Sequence, residues 1–172
     1  LFLSDGSNLS LTSNTGSYEG GIMKNIAIRN NVFYNTANHP GGSAVGISQT
    51  TNWANYLSGD NISLTDNVFV NCGKLLTAAN IRNMTITGNL IVNPLVYGQT
   101  VTRFEDIAML SKASCSVKAY TGNTAYLTTG KAVGGDNPLK LTTAAKVSKA
   151  ADICRNDSLS ASAMAKKLRE LF

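Results

Sequence analysis

Charge is scarce in this chain. Lys, Arg, Asp and Glu make up 15% of its 172 residues, against about a quarter in an ordinary globular domain. Asn, Ser, Thr and Gly fill their place. With 43% hydrophobic residues this is not the profile of a disordered tail. The net charge of +5 comes mostly from beyond residue 130, where Lys140, Lys146, Lys149, Lys166 and Lys167 lie. A basic field favours acidic polymers. No Lys/Arg run is interleaved with aromatics, however, so nucleic acid is not an expected partner. The single histidine, His39, has no neighbours with which to build a zinc site. The cysteines are Cys72, Cys115 and Cys154. Their odd number excludes full internal pairing and no CxxC occurs, so they do not decide the redox compartment. No stretch reads as a signal peptide or membrane span, and membrane insertion is not expected.

What the chain does have is one phrase written three times. It runs Lys24 to Asn35, Asp60 to Asn71 and Arg82 to Asn93, in the frame Asn-φ-x-φ-x-x-Asn-φ-φ-x-Asn with φ apolar. Ile26/Ile28, Ile62/Leu64 and Met84/Ile86 alternate with polar residues, the period of a half-buried strand. Asn31, Asn67 and Asn89 follow a polar pair, and Asn tolerates the left-handed backbone of a sharp bend. A second apolar run comes next (Val32-Phe33-Tyr34, Val68-Phe69-Val70, Leu90-Ile91-Val92) and ends on Asn35, Asn71 or Asn93. Each phrase therefore predicts strand, bend, strand, bend.

Asn61 and Asn83 are 22 residues apart, too close for a βαβ unit of about 30 residues. The interval suits one turn of a solenoid with a third strand, for which Lys74 to Ala78 is well placed. Ala44 to Ser48 and Ile107 to Leu110 are the corresponding segments elsewhere. Asn8 to Asn14 matches the first half of the phrase upstream. Tyr120 to Asn123 echoes it downstream, with Thr124 to Thr128 as its second strand.

The phrase resembles the coil of the right-handed parallel β-helix, the pectin-lyase-like superfamily, over roughly residues 8 to 128. The resemblance implies an all-β solenoid with three strands per coil, here four to five coils. Asn31, Asn67, Asn89, Asn35, Asn71 and Asn93 would then be structural ladder residues, stacked about 4.8 Å apart. A leucine-rich repeat matches Ile26-x-Ile28-x-x-Asn31-x-Phe33 superficially. The second β-rich run and the terminal Asn of each phrase count against it.

Residues 1–130 are expected to form the coils and 131–172 a partly helical capping segment. In that segment Ser158 to Phe172 sets Leu159, Ala163, Leu168, Leu171 and Phe172 near one helical face, with Asp157 or Ser158 as N-cap. The helices are expected to pack on the end of the solenoid. The chain opens on Leu1-Phe2-Leu3-Ser4, which reads as a strand in progress. We expect a C-terminal portion of a longer β-helix whose N-terminal remainder is its partner.

Enzymes of the resembled family bind polysaccharide along one sheet. Their lyases use Arg or Lys as base beside a uronate carboxylate, often neutralised by calcium; their hydrolases use paired carboxylates. No family catalytic motif is matched here. The candidates are Arg103 or Lys74 as base, Glu105 and Asp106 as a calcium or acid site, and Trp53, Tyr56, His39 and Tyr97 as sugar contacts. The expectation is a secreted or cell-surface domain acting on acidic, uronate-containing polysaccharide. The alternatives are a non-catalytic carbohydrate-binding module or a structural stalk.

Overall fold

The computed structural model describes residues 2–3, 9–13, 22–37, 39, 42–49, 57–96, 99–110 and 114–172. These form mostly parallel strands in three sheets, followed by two helices. The first sheet joins β2 (Leu9–Ser13), β5 (Ser43–Gln49), β8 (Lys74–Ala78) and β12 (Ala108–Leu110). The second joins β3 (Met23–Arg29), β6 (Gly59–Thr65), β10 (Met84–Thr87) and β13 (Val117–Thr121), with β9 (Ile81–Arg82) also pairing β6. The third joins β1 (Phe2–Leu3), β4 (Val32–Tyr34), β7 (Val68–Val70), β11 (Leu90–Val92), β14 (Thr124–Leu127) and β15 (Leu139–Leu141).

From β3 to β14 the chain visits the second, third and first sheets in fixed rotation, the short β9 aside. Each strand therefore pairs with its counterpart from the previous visit, and equivalent residues fall in line. Ile28, Leu64, Ile86 and Tyr120 are in register, as are Phe33, Phe69, Ile91, Ala125 and Leu139. Phe33 and Phe69 stack with centroids 4.6 Å apart and planes 4° from parallel. Side chains from all three sheets make one buried cluster. The runs after Asn31, Asn67 and Asn89 are strands, as the phrase requires and a leucine-rich repeat does not.

Strand β2 corrects the reading of Asn8 to Asn14 as a first-strand copy. It pairs with β5, in the first sheet rather than the second. Alternation of period two is the same in either sheet and does not identify which one a strand joins.

The bends between second- and third-sheet strands hold four amides of a row of five, and the fifth, Asn137, precedes β15. The side-chain N–H of Asn31 donates to Asn67 Oδ1 at 3.2 Å, Asn67 to Asn89 at 3.2 Å, Asn89 to Asn123 at 2.8 Å and Asn123 to Asn137 at 2.7 Å. Each accepting Oδ1 also takes the backbone N–H of the preceding Asn. From Asn67 onward each amide gives its other N–H to a strand carbonyl: Ile28, Leu64, Ile86 and Tyr120 in turn. Asn67, Asn89 and Asn123 are buried, so their pairing removes a desolvation penalty of roughly 1–3 kcal/mol per polar group.

The ladder Asn is not the left-handed residue of the bend. That conformation belongs to the residue before it: Asn30 (φ 56°), Asp66 (φ 54°), Gly88 (φ 67°) and Gly122 (φ 71°). Asn35, Asn71 and Asn93, at the far ends of β4, β7 and β11, are themselves left-handed, with φ of 55°, 51° and 50°. Asn93 donates to Asn71 Oδ1 at 2.8 Å.

Helix α1 (Ala144–Cys154) is capped by Thr143, whose side chain accepts from Lys146 N. Helix α2 (Ala161–Leu171) is capped by Ser160, two residues later than the latest expected cap. Ser158 is already engaged: its N–H and hydroxyl both donate to Asn156 Oδ1, at 3.1 and 2.6 Å. The helices lie against the outer face of the third sheet, where the sequence reading set them at an end. Val147, Ala150 and Cys154 of α1 and Met164 and Leu168 of α2 cluster with Val32, Val68, Val70, Leu90 and Val92. Phe69 points into the main core while Val68 and Val70 point to the helices. That is why Val68-Phe69-Val70 is apolar throughout rather than alternating.

Candidate functional site

Two stretches depart from the repeat, residues 36–59 and 94–106, and both contain side chains marked as candidates. Trp53, Tyr56 and Tyr97 lie outside the described residues. His39 is exposed in a tight turn; its N–H donates to Ala37 O at 2.8 Å and its carbonyl accepts from Gly42 N at 3.0 Å. Gly42 O in turn accepts from Lys74 N at 2.9 Å, so His39 and Lys74 border the same turn. Gly73 lets the chain pass there, since a Cβ would stand 2.5 Å from Ala37 O. Lys74 itself is only 8% exposed.

The segment after β11 is anchored at both ends. Leu95 N donates to Cys72 O at 2.7 Å. At the other end a 3-10 turn, Phe104–Asp106, drops Phe104 into the core, edge-on to Tyr120 with centroids 5.8 Å apart. Asp106 holds this turn together. One carboxylate oxygen accepts from Thr102 N (2.8 Å), Thr102 Oγ1 (2.9 Å) and Arg103 N (3.1 Å); the other accepts from Arg103 Nε at 3.3 Å. Burial opposes ionisation of Asp106, but these donors outweigh it and hold the carboxyl below its usual range. Glu105 is half-buried. Burial first, and then the Glu105 charge, push the Tyr120 phenol up.

Lys74 opens β8 and Asp106 ends the 3-10 turn just before β12, the strand that pairs with β8. Among the described residues they form no ion pair; Asp106 pairs with Arg103. No group of three or more His, Cys, Asp or Glu side chains that could hold a metal is found among the described residues. Calcium asks for six to eight oxygens, and both oxygens of Asp106 are already bonded.

The segment's other product is a groove of about 410 Å³ between residues 93–96 and 99–101 on one side and 127–130 on the other. Asn93 and Thr128 form one wall. Asn93 is fixed by its bond to Asn71 and by its backbone N–H to Tyr126 O at 2.8 Å. Thr128 Oγ1 donates to Asn93 Oδ1 at 3.2 Å and so ends the Asn71–Asn93 row at the groove. Gln99, Thr100 and Thr129 add exposed amide and hydroxyl groups, and Leu95, Val96, Val101 and Leu127 supply apolar surface. No charged side chain lines the groove among the described residues. Sequence reasoning marked the interrupted stretch at 94–106 but singled out neither Gln99 nor Thr128, the latter read only as the end of a strand.

No family model matches this chain, and neither the curated proteins nor the solved structures compared with it gave a match.

Proposed function

We propose that the chain is a right-handed parallel β-helix that binds polysaccharide and works as a non-catalytic module, secreted or at the cell surface. The β-helix reading is supported by the fixed rotation of strands among three parallel sheets and by the row of five amides. Low charge with abundant Asn, Ser and Thr supports the extracellular setting. The observation that carries the binding role is the groove at residues 93–96, 99–101 and 127–130. Amides and hydroxyls there can exchange hydrogen bonds with sugar hydroxyls, and the Leu and Val side chains match the C–H face of a pyranose ring. A pocket of this size falls within the usual range for small-molecule sites.

Binding is favoured over lyase chemistry because the side chains named for catalysis have structural occupations. Arg103 donates to Asp106, and Asp106 caps the 3-10 turn. Lys74 is largely covered. A general base must reach the proton that it removes.

The test is affinity electrophoresis and calorimetry of the chain against neutral and uronate polysaccharides, with the absorbance of unsaturated products followed in parallel. Saturable binding without product is the expected result. Steady formation of unsaturated product would replace the module by a lyase. Absence of binding to every polymer would remove the polysaccharide reading.

A further inference from the structure

The sequence reading expected an acidic polysaccharide. We infer instead that the groove beside Asn93 and Thr128 selects an uncharged sugar unit and discriminates against uronates. The inference rests on the polysaccharide reading and narrows it.

A carboxylate moved from water into a groove loses hydration that only a cation or several aimed donors can replace. The lining supplies no cation among the described residues. Arg103 follows the lining by two residues, but its Nε is directed to Asp106. Lys131, one residue beyond Gly130, is exposed outside the lining. A neutral sugar needs only matched donors and acceptors. Thr128 has given its proton to Asn93 Oδ1, which leaves its oxygen as an acceptor facing the groove wall. Gln99 offers both a carbonyl and an amide, and Thr100 a hydroxyl. Leu95 and Val101 give the flat apolar contact.

The wall is also held in place before any sugar arrives. Asn93 donates to Asn71 at 2.8 Å and accepts from Thr128 at 3.2 Å, so neither groove side chain needs to be ordered on binding. Less ordering at binding means more of the contact energy appears as affinity. Thr128 is thus a specificity residue, fixed by the end of an amide row.

The experiment compares gluco-, manno-, galacto- and xylo-hexaoses with polygalacturonate and alginate oligomers by calorimetry. It uses the whole chain and two variants, Thr128→Val and Gln99→Lys, each checked for its native circular dichroism. At least one neutral series should bind about tenfold tighter than either uronate. Thr128→Val should weaken that binding about tenfold, the effect of one hydrogen bond. Gln99→Lys lies in an exposed segment and should move the preference toward uronates. Tighter binding of uronates to the unmodified chain would overturn the inference and leave the polysaccharide reading standing. So would neutral binding that neither variant alters. Failure of every oligomer to bind would overturn both.

Discussion

Asn67 gives two protons to one oxygen of Asn89: its backbone N–H reaches Asn89 Oδ1 at 3.1 Å and its side-chain N–H reaches the same atom at 3.2 Å. Asn67 is fully buried, and it also donates to Ile28 O at 2.8 Å and receives two bonds from Asn31. Asn67→Ala would leave several buried groups without partners. The expected loss is about 3 kcal/mol in urea unfolding, from roughly 1–3 kcal/mol per orphaned group. Asn93→Ala, which is half-buried, should cost about 1 kcal/mol. Equal losses at the two positions would mean that burial does not set the worth of these amides.

Gly88 occupies a left-handed position, φ 67°, and a Cβ there would meet Asp66 Oδ1. Asn30 and Asp66 take the same conformation with side chains, so backbone strain alone is tolerable. Gly88→Ala should cost about 1–2 kcal/mol from strain and the close approach together. Pairing it with Asp66→Ala removes the clash. If the double variant is no more stable than the sum of the two single effects predicts, steric contact is not the cause.

The two buried thiols report separate layers. Burial pushes Cys72 up to about 11 and Cys154 up to about 12, the latter helped by the nearby Cys72. Such thiols stay protonated at pH 8 and alkylate only on opening. Cys154 sits between α1 and the third sheet, while Cys72 belongs to the central cluster. Mass-resolved alkylation should modify half-buried Cys115 first, Cys154 next and Cys72 last. Simultaneous modification of Cys154 and Cys72 would show that helices and sheets open as one unit.

Asp106 and Asp60 both have lowered carboxyl pKa values. For Asp60 the causes are the Arg82 hydrogen bond first and then that of Asn83; for Asp106 burial is overcome by four donors. A depressed folded-state pKa gives stability that is present above the unfolded value, about 3.9, and lost as pH falls through the folded one. The stability of the chain should therefore fall below about pH 4. The gap between it and Asp106→Asn should close over the same window in denaturant titrations at stepped pH. A gap that stays constant to pH 2 would exclude ionisation as the source.

Much of the fold could be read from Asn31, Asn67 and Asn89, because each buried amide needs the same neighbours and so recurs with them. Lys74 to Ala78 was found as a strand because it had to fill a fixed interval. Asn137 was not found. It lies only 14 residues after Asn123, and no first strand precedes it to complete the phrase. The left-handed residue was placed one position late because Asn30 and Asp66 are as permissive as the Asn that follows. The site was legible only as an interruption at 94–106. Gln99 and Thr128 lie far apart in sequence, and only the fold brings them to one groove.

The amide rows do not all point the same way. From Asn31 to Asn123 each ladder amide donates to the next Asn along the chain. Asn93 donates back to Asn71, Thr128 back to Asn93, and Asn61 back to Asn25. Aligned amides polarise one another along a row, so each row carries a dipole. The rows at different bends therefore have opposed senses. The groove at Thr128 thus lies at the head of a short row that runs opposite in sense to the longer one.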